Sequence, residues 1–425
     1  MFTELQLTNV GPAPAMKLAF GERLNLITGD NGLGKSFLLD IAWWSLTRKW
    51  PAEINPQLTS GKKVRPDSPD AKIKFRVTGK TGQPKSYHSE YRPKEQAWVG
   101  SAGRPINPGL VLYAMSDGSF AVWDPARNYW ISKKDIDIQD RQPAYVFSPS
   151  QVWDGLPNDN GGWLCNGLIR DWAGWQKEKG LAFTQLKDVL KVLSPSMKEI
   201  LEPGELTRIS IDDSRDIPTV RMPYGKDIPV VYASSGMRRV IALAYFLIWA
   251  WQEHQEAAKL IQEEPTQQIT FLIDEVESHL HPSWQRSIVP ALLNVMDTLT
   301  PGAGVQLITA THSPLIMASV EPLFDPKQDA WFDLDLENQQ VVLRHREFVR
   351  RGDISNWLTS EAFDLPSARS LEAEKVLERA AKALSHDNLD RASAQKIDLE
   401  LRKVLSDTDP FWMRWRFVAE KKEWL

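Results

Sequence analysis

Residues 24–48 read LNLITGDNGLGKSFLLDIAWWSLTR. A short apolar run, Leu24–Thr28, leads into Gly29-Asp30-Asn31-Gly32-Leu33-Gly34-Lys35-Ser36, and apolar residues then recur at helical spacing through Phe37, Leu38, Ile41, Ala42 and Leu46. Strand, glycine-rich loop and helix in that order are the context in which G-x-x-x-x-G-K-[ST] cradles phosphate. Glycine lets backbone N–H groups curl around phosphate oxygens without Cβ clashes, and the helix that follows turns its positive end toward them. Lys35 is then placed to reach β- and γ-phosphates, and the Ser36 hydroxyl to ligate Mg²⁺. A random chain of this length gives the pattern roughly one to two times in a hundred. The expected ligands are ATP and Mg²⁺.

Three further stretches belong with this loop. Thr270-Phe271-Leu272-Ile273-Asp274-Glu275 is an apolar strand ending in two acids. A strand buried on both faces delivers Asp274 at its carboxyl end, where open α/β sheets bind ligands. There Asp274 would hold Mg²⁺ directly or through water, and Glu275 would act as general base on a water. Leu307-Ile308-Thr309-Ala310-Thr311-His312-Ser313-Pro314 is another strand ending in a polar turn, whose His312 could meet a γ-phosphate. Ala233-Ser234-Ser235-Gly236-Met237-Arg238-Arg239 opens a long apolar helix; alone, it is no more than an N-cap.

Apolar strands alternating with helices call for a parallel sheet covered on both faces. The phosphate-binding elements are split between residues 24–49 and 234–314. The division expected is therefore a core from 1–50 and 205–345, inserted β-rich and helical lobes over 51–204, and a helical tail over 346–425. Within these, the pattern predicts hairpins from Ile73 to Trp130, an irregular stretch over 131–160, and helices at Leu164–Trp175 and Ala182–Leu193, with Met197–Pro203 continuing the helical lobe. It predicts paired strands at Leu206–Asp212 and Thr219–Met222, one helix over Pro282–Leu299, a hairpin in 326–350 and amphipathic helices in 367–407.

Composition removes other classes. The 51 Lys and Arg against 55 Asp and Glu, a formal charge of −4, exclude a uniformly basic nucleic-acid coat, although Lys62-Lys63-Val64-Arg65 is locally basic. A single cysteine, Cys165, excludes a disulfide scaffold and a cysteine zinc cluster. No run of 18 apolar residues occurs, and Val240–Trp251 suits a buried helix. With no apolar leader at the amino end, the expected location is the cytoplasm. The 18 Trp exceed the 15 Phe and 8 Tyr, and the tail carries a cluster in Phe411-Trp412-Met413-Arg414-Trp415-Arg416-Phe417 that reads as core filler or as a docking surface.

Together these stretches resemble the ABC-type ATPase heads, in the branch of SMC-type chromosome proteins, RecF-type repair ATPases and OLD-like defence ATPases. Leu5–Val10 resembles the branch's opening strand, Gly29–Ser36 its Walker A loop, and Asp274-Glu275 its Walker B acids. Ala233–Met237 resembles the signature motif, with Ser234 and Gly236 in the Ser and Gly places and departures from LSGGQ at Ala233, Ser235 and Met237. Glu277–His281 with Pro282 resembles the E-x-H-L-H-P run of compact members, and His312 stands in the switch-histidine place. Gln151 is a candidate for the nucleotide-contacting glutamine, at unusually long spacing.

The resemblance implies an α/β ABC-ATPase head with a mostly parallel Walker-type sheet, an antiparallel β subdomain, an inserted helical lobe and a helical C-terminal tail. It implies nucleotide contacts from Gly29, Asn31, Gly32, Gly34, Lys35, Ser36, Gln151, Ser234 and Gly236, metal contacts from Ser36 and Asp274, and catalysis by Glu275, His312 and Lys35. Ser234 and Gly236 would act on ATP held by a second copy, so a head-to-head homodimer follows. No heptad arm, membrane span or appended nuclease is visible. The expected role is an ATP-gated regulator of a separately encoded effector, a nuclease or toxin, in bacterial anti-phage defence. A RecF-type ATPase acting on DNA is the alternative.

Overall fold

Five strands run parallel through the middle of an eight-stranded sheet in this computed structural model, which describes residues 1–66, 68–79, 82–100, 106–128, 141–158, 161–385 and 390–424. In spatial order they are Ala330–Glu337, Leu24–Gly29, Gly304–Ala310, Gln268–Ile273 and Leu110–Ala114. Antiparallel strands finish both edges: Gln340–Arg346 on one side, Phe120–Trp123 and Tyr145–Phe147 on the other. All five residues of Leu110–Ala114 are buried, as a parallel strand covered on both faces requires.

The register aligns the carboxyl ends. Ile273 lies opposite both Thr309 and Ala114, and Ala310 lies opposite Ile27. The loops after these four strands therefore leave from one edge of the sheet. The helix Lys35–Thr47 covers one face, with the Trp43 and Tyr113 ring centroids 6.1 Å apart. The long helix Ser235–Leu260 covers the antiparallel edge, where Phe246 packs on Phe120 (4.3 Å) and Phe147 (5.3 Å). Among the described residues, no helix is long and apolar enough to cross a membrane.

A second, antiparallel sheet has the order Ala15–Ala19, Phe2–Thr8, Lys72–Thr78, Pro84–Arg92, Ala97–Gly100. Its alternating pattern turns Ile73, Phe75 and Val77 inward, where they join Phe2, Leu5 and Leu7 and the buried face of the helix Lys35–Thr47 in one core.

Several elements differ from the sequence reading. Leu110–Ala114, Phe120–Trp123 and Tyr145–Phe147 fall within the stretch read as inserted lobes, yet they are strands of the central sheet. Leu206–Asp212 is not a strand: a single bridge, Thr207 to Ile217, is its pairing, and Thr219–Arg221 pairs instead with Glu202–Pro203 and Asp227–Pro229. The Met197–Pro203 stretch is turn and short strand rather than helix. The helix expected over Pro282–Leu299 is broken into Pro282–Gln285 and Ile288–Leu299, because Ser287 leaves helical geometry at φ −122° to start the second. Trp130, residues 131–140 and residues 159–160 lie outside the described residues.

The chain divides into two compact units, Met1–Gly352 and Asp353–Leu425. The first unit keeps part of the stretch read as tail: Phe348 stacks on Phe324 at 4.0 Å, and Glu321 accepts from the Arg351 N–H at 2.7 Å. The second unit holds the helices Leu371–Ser385, Arg391–Val404 and Phe411–Lys421 around its own core of small and aromatic residues, including Ala380, Ala394, Leu401, Trp412, Trp415 and Trp424. Trp415 is fully buried and donates its indole N–H to Asp398 at 3.0 Å. The tryptophans of the tail cluster are thus core residues of this unit, while Met413 and Phe417, four apart on the same helix, are 78% and 68% exposed.

Candidate nucleotide site

The glycine-rich loop turns tightly between the strand Leu24–Gly29 and the helix Lys35–Thr47. Gly29 has φ 132°, and a Cβ there would lie 2.3 Å from the Leu334 carbonyl oxygen of the neighbouring strand, so any side chain is excluded on both grounds. Gly34 caps the helix in left-handed geometry. Asn31, Gly32 and Ser36 are exposed. Lys35 is the opposite: 5% exposed, with its ammonium folded back to donate to the carbonyls of Gly29 (2.7 Å) and Asp30 (2.8 Å). Burial pushes the ammonium below its ordinary value, against the opposing pull of Asp274, Glu275, Asp30 and Glu277. A buried cation held, among the described residues, by carbonyls alone is poised for an anionic ligand.

Asp274 leaves the end of the strand Gln268–Ile273 with its N–H donating to Ala114 at 2.9 Å. The residue is 2% exposed, and among the described residues its Oδ1 has no hydrogen-bond partner. Burial pushes its carboxyl above the usual range, while the hydroxyls of Ser36 and Ser116 pull it down. A buried, unpartnered carboxylate oxygen beside a serine hydroxyl fits Mg²⁺, which takes one or two protein oxygens and completes its shell with water and phosphate.

Glu275 follows at φ 47°, and His279 at φ 63°. Left-handed backbone at non-glycine residues costs on the order of 1 kcal/mol or more each, and such strain gathers at functional turns. Glu277 then reaches across to the next loop, where one oxygen accepts the His312 N–H and the other accepts the Thr311 hydroxyl at 2.8 Å. Burial raises its carboxyl, opposed chiefly by the His312 N–H. His312 is half-buried, and burial followed by the Lys35 charge pushes its imidazole below the usual value, so it is neutral near pH 7.

The structure thus gathers Lys35, Ser36, Asp274, Glu277 and His312 into one electrostatically linked cluster, with Glu275 adjoining. Glu277 was not among the catalytic or binding residues read from sequence; its signal was the E-x-H-L-H-P run, whose acid binds a neighbouring loop rather than continuing a helix.

Ser234 is exposed and caps the helix Ser235–Leu260, accepting from the Met237 N–H at 3.3 Å. Gly236 is buried where a Cβ would lie 2.6 Å from the His279 carbonyl oxygen. Gln151 does not join the cluster. Its amide oxygen accepts from the Ser148 N–H (2.9 Å) and the Asn55 amide (2.7 Å), closing a capping box on the helix Pro149–Asp154. Among the described residues no hydrogen bond links it to the glycine-rich loop or the acids.

A cavity of about 730 Å³ lies against the start of the helix Lys35–Thr47, lined among others by Pro12, Phe37, Asp40, Lys63 and Arg65. Asp40 accepts from the Tyr113 hydroxyl at 2.9 Å, and burial pushes its carboxyl up to about 7.

Residues 24–318 match a family described as "AAA domain, putative AbiEii toxin, Type IV TA system". The chain is 27% identical over 155 residues to the retron Ec83 probable ATPase of Escherichia coli, covering 36% of this chain and 26% of that protein. It spans about a quarter of the length of the retron relatives it matches. The Septu protein PtuA of Bacillus thuringiensis is 22% identical over 408 residues, 94% of this chain and 93% of that one. Among solved structures, the SMC head domain from Thermotoga maritima aligns with 81% of this chain and 99% of its own, at 13% identity and a TM-score of 0.40.

Proposed function

This chain belongs to the AAA-domain family matched by residues 24–318, and from that premise we propose that it binds and hydrolyses ATP as a nucleotide-gated switch made of two copies. The observation that carries the reading is the cluster at the sheet edge: a buried, carbonyl-held Lys35 beside a buried Asp274 whose Oδ1 lacks a partner among the described residues.

In this reading, the backbone N–H groups of Gly29–Ser36 take the phosphates, and Lys35 exchanges its two carbonyls for β- and γ-oxygens. Ser36 and Asp274 hold Mg²⁺, which neutralises phosphate charge when bound. Glu275 accepts the proton of the attacking water, and the products are ADP and phosphate. Neutral His312 hydrogen-bonds the γ-phosphate, positioned from behind by Glu277. The cavity lined by Phe37 and Pro12 takes the base. Ser234, exposed at a helix N-terminus, caps the γ-phosphate held by the second copy.

The output is a separate effector protein, in keeping with relatives named for retron and Septu systems and with the defence role that the family resemblance implies. The exposed Met413 and Phe417 of the C-terminal unit are the surface proposed to dock it.

Glu275→Gln tests the reading. With ATP and Mg²⁺ the variant should bind nucleotide, hydrolyse it at least a hundredfold more slowly, and sediment as a dimer. A variant that stays monomeric in saturating ATP refutes the two-copy switch. Strong, salt-sensitive stimulation of hydrolysis by DNA alone would favour a DNA-acting ATPase instead.

A further inference from the structure

Arg239 lies one turn into the helix that Ser234 caps, and it is 6% exposed. Its guanidinium donates to two backbone carbonyls, Met115 at 2.6 Å and Asp274 at 3.3 Å, while its Nε has no partner among the described residues. It makes no ion pair among the described residues; Asp274, Asp117 and Glu275 act on it only as surrounding charges, and burial pushes its guanidinium below the ordinary value. A cation kept dry on carbonyls is a poor choice for stability alone, since a buried charge is costly unless paired.

Its position gives it another use. Met115 follows the strand Leu110–Ala114, and Asp274 follows the strand Gln268–Ile273, so one side chain clamps two adjacent strand ends. Those ends also hold each other, through the Asp274 N–H to Ala114. The same helix touches the Asp274–Leu280 loop a second time, where Gly236 meets the His279 carbonyl too closely for any Cβ. The first turns of the helix are therefore tied at two points to the segment carrying Asp274 and Glu275, in the same chain.

We infer that Arg239 is a positioning residue that transmits occupancy of a subunit's own Mg²⁺ and ATP site to its Ser234–Gly236 segment, the segment that acts on the other copy. This rests on the nucleotide reading of the site, though not on dimer formation. ATP that fixes Asp274 fixes the Asp274 carbonyl, and through Arg239 the start of the helix. The two sites of a dimer would then be coupled through each chain's interior as well as across the interface.

Hydrogen exchange on the full chain, at protein concentrations too low for assembly, tests this. In the native chain, ATP with Mg²⁺ should slow amide exchange at least fivefold both at residues 29–36 and at 235–240. In Arg239→Met the slowing at 29–36 should persist, with ATP affinity within threefold of native, while that at 235–240 disappears. Arg239→Gln, which keeps neutral donors on a shorter stem, should behave the same way and serves if the Met variant does not fold. Protection at 235–240 that survives both substitutions, or that never appears in the native chain, overturns the inference. Loss of ATP binding by the native chain at 29–36 would instead overturn the nucleotide site itself, and a monomeric Glu275→Gln only the two-copy reading.

Discussion

Replacing Lys35 by Met separates ligand binding from folding. In the nucleotide-free chain Lys35 is 5% exposed, and its ammonium donates to the carbonyls of Gly29 and Asp30. Because burial depresses its pKa, the folded state disfavours the charged form relative to the unfolded chain. That penalty is present at neutral pH and fades only as pH rises through the depressed value toward the unfolded one. Lys35→Met removes it and frees two carbonyls at a loop whose tip is exposed to water, so the melting temperature without nucleotide should be equal to or above that of the native chain. ATP binding should suffer. Hydrogen bonds to charged groups contribute about 1.5–3 kcal/mol, which is roughly 10- to 150-fold in affinity. At an ATP concentration one hundred times the native Kd, bound ligand stabilises by about 2.7 kcal/mol, or about 5 °C for a unit of this size. A hundredfold weaker site at the same concentration gives about 0.4 kcal/mol, or roughly 1 °C. Thermal scans with and without ATP and Mg²⁺ read both quantities. A variant that keeps the full ATP shift, or that melts several degrees lower without ligand, refutes the reasoning.

Gly236→Ala places a methyl 2.6 Å from the His279 carbonyl oxygen, a backbone atom that cannot swing away; urea unfolding should show a loss of about 1–3 kcal/mol, and ATP-driven association should weaken at least tenfold while ATP affinity stays within threefold. Asp40, raised to about 7 by burial, keeps its proton in the folded chain over a range where the unfolded chain has lost it. Its contribution therefore makes stability fall as pH rises from about 4 to 7, with no further change above, and Asp40→Asn should flatten that part of the pH profile of the urea midpoint. Trp415→Ala empties the core of the C-terminal unit at a cost of about 3–5 kcal/mol; limited proteolysis should then degrade residues 353–425 first, leaving ATP binding by Met1–Gly352 intact.

The glycine-rich loop, the acid pair and the polar turn at His312 were legible as elements because each is local: a few residue types at fixed spacing after an apolar run. The parallel sheet was legible in class, and its membership was not. Leu110–Ala114 looks like any short apolar strand, and nothing local marks its pairing with Gln268–Ile273 more than 150 residues away. Gln151 carries two meanings in sequence, because a glutamine three residues after a serine is also a capping box, and its oxygen closes one here. Arg239 and Glu277 are hard to read for a related reason. Arg239 acts through two backbone carbonyls, and Glu277 through a backbone N–H and a hydroxyl of another loop, and a carbonyl or an N–H leaves no residue type to read. The tail aromatics were ambiguous between core and surface until Trp412, Trp415 and Trp424 were seen to face inward and Met413 and Phe417 outward.

The most direct measurement is a structure of the Glu275→Gln chain grown with ATP and Mg²⁺. ATP is expected on the loop Gly29–Ser36, with the Lys35 ammonium moved from the Gly29 and Asp30 carbonyls onto phosphate oxygens. The metal is expected between Ser36 and Asp274, and Ser234 of a second copy at the γ-phosphate. Nucleotide bound elsewhere, or bound here with Lys35 still on its carbonyls and Ser234 facing solvent, would contradict the reading.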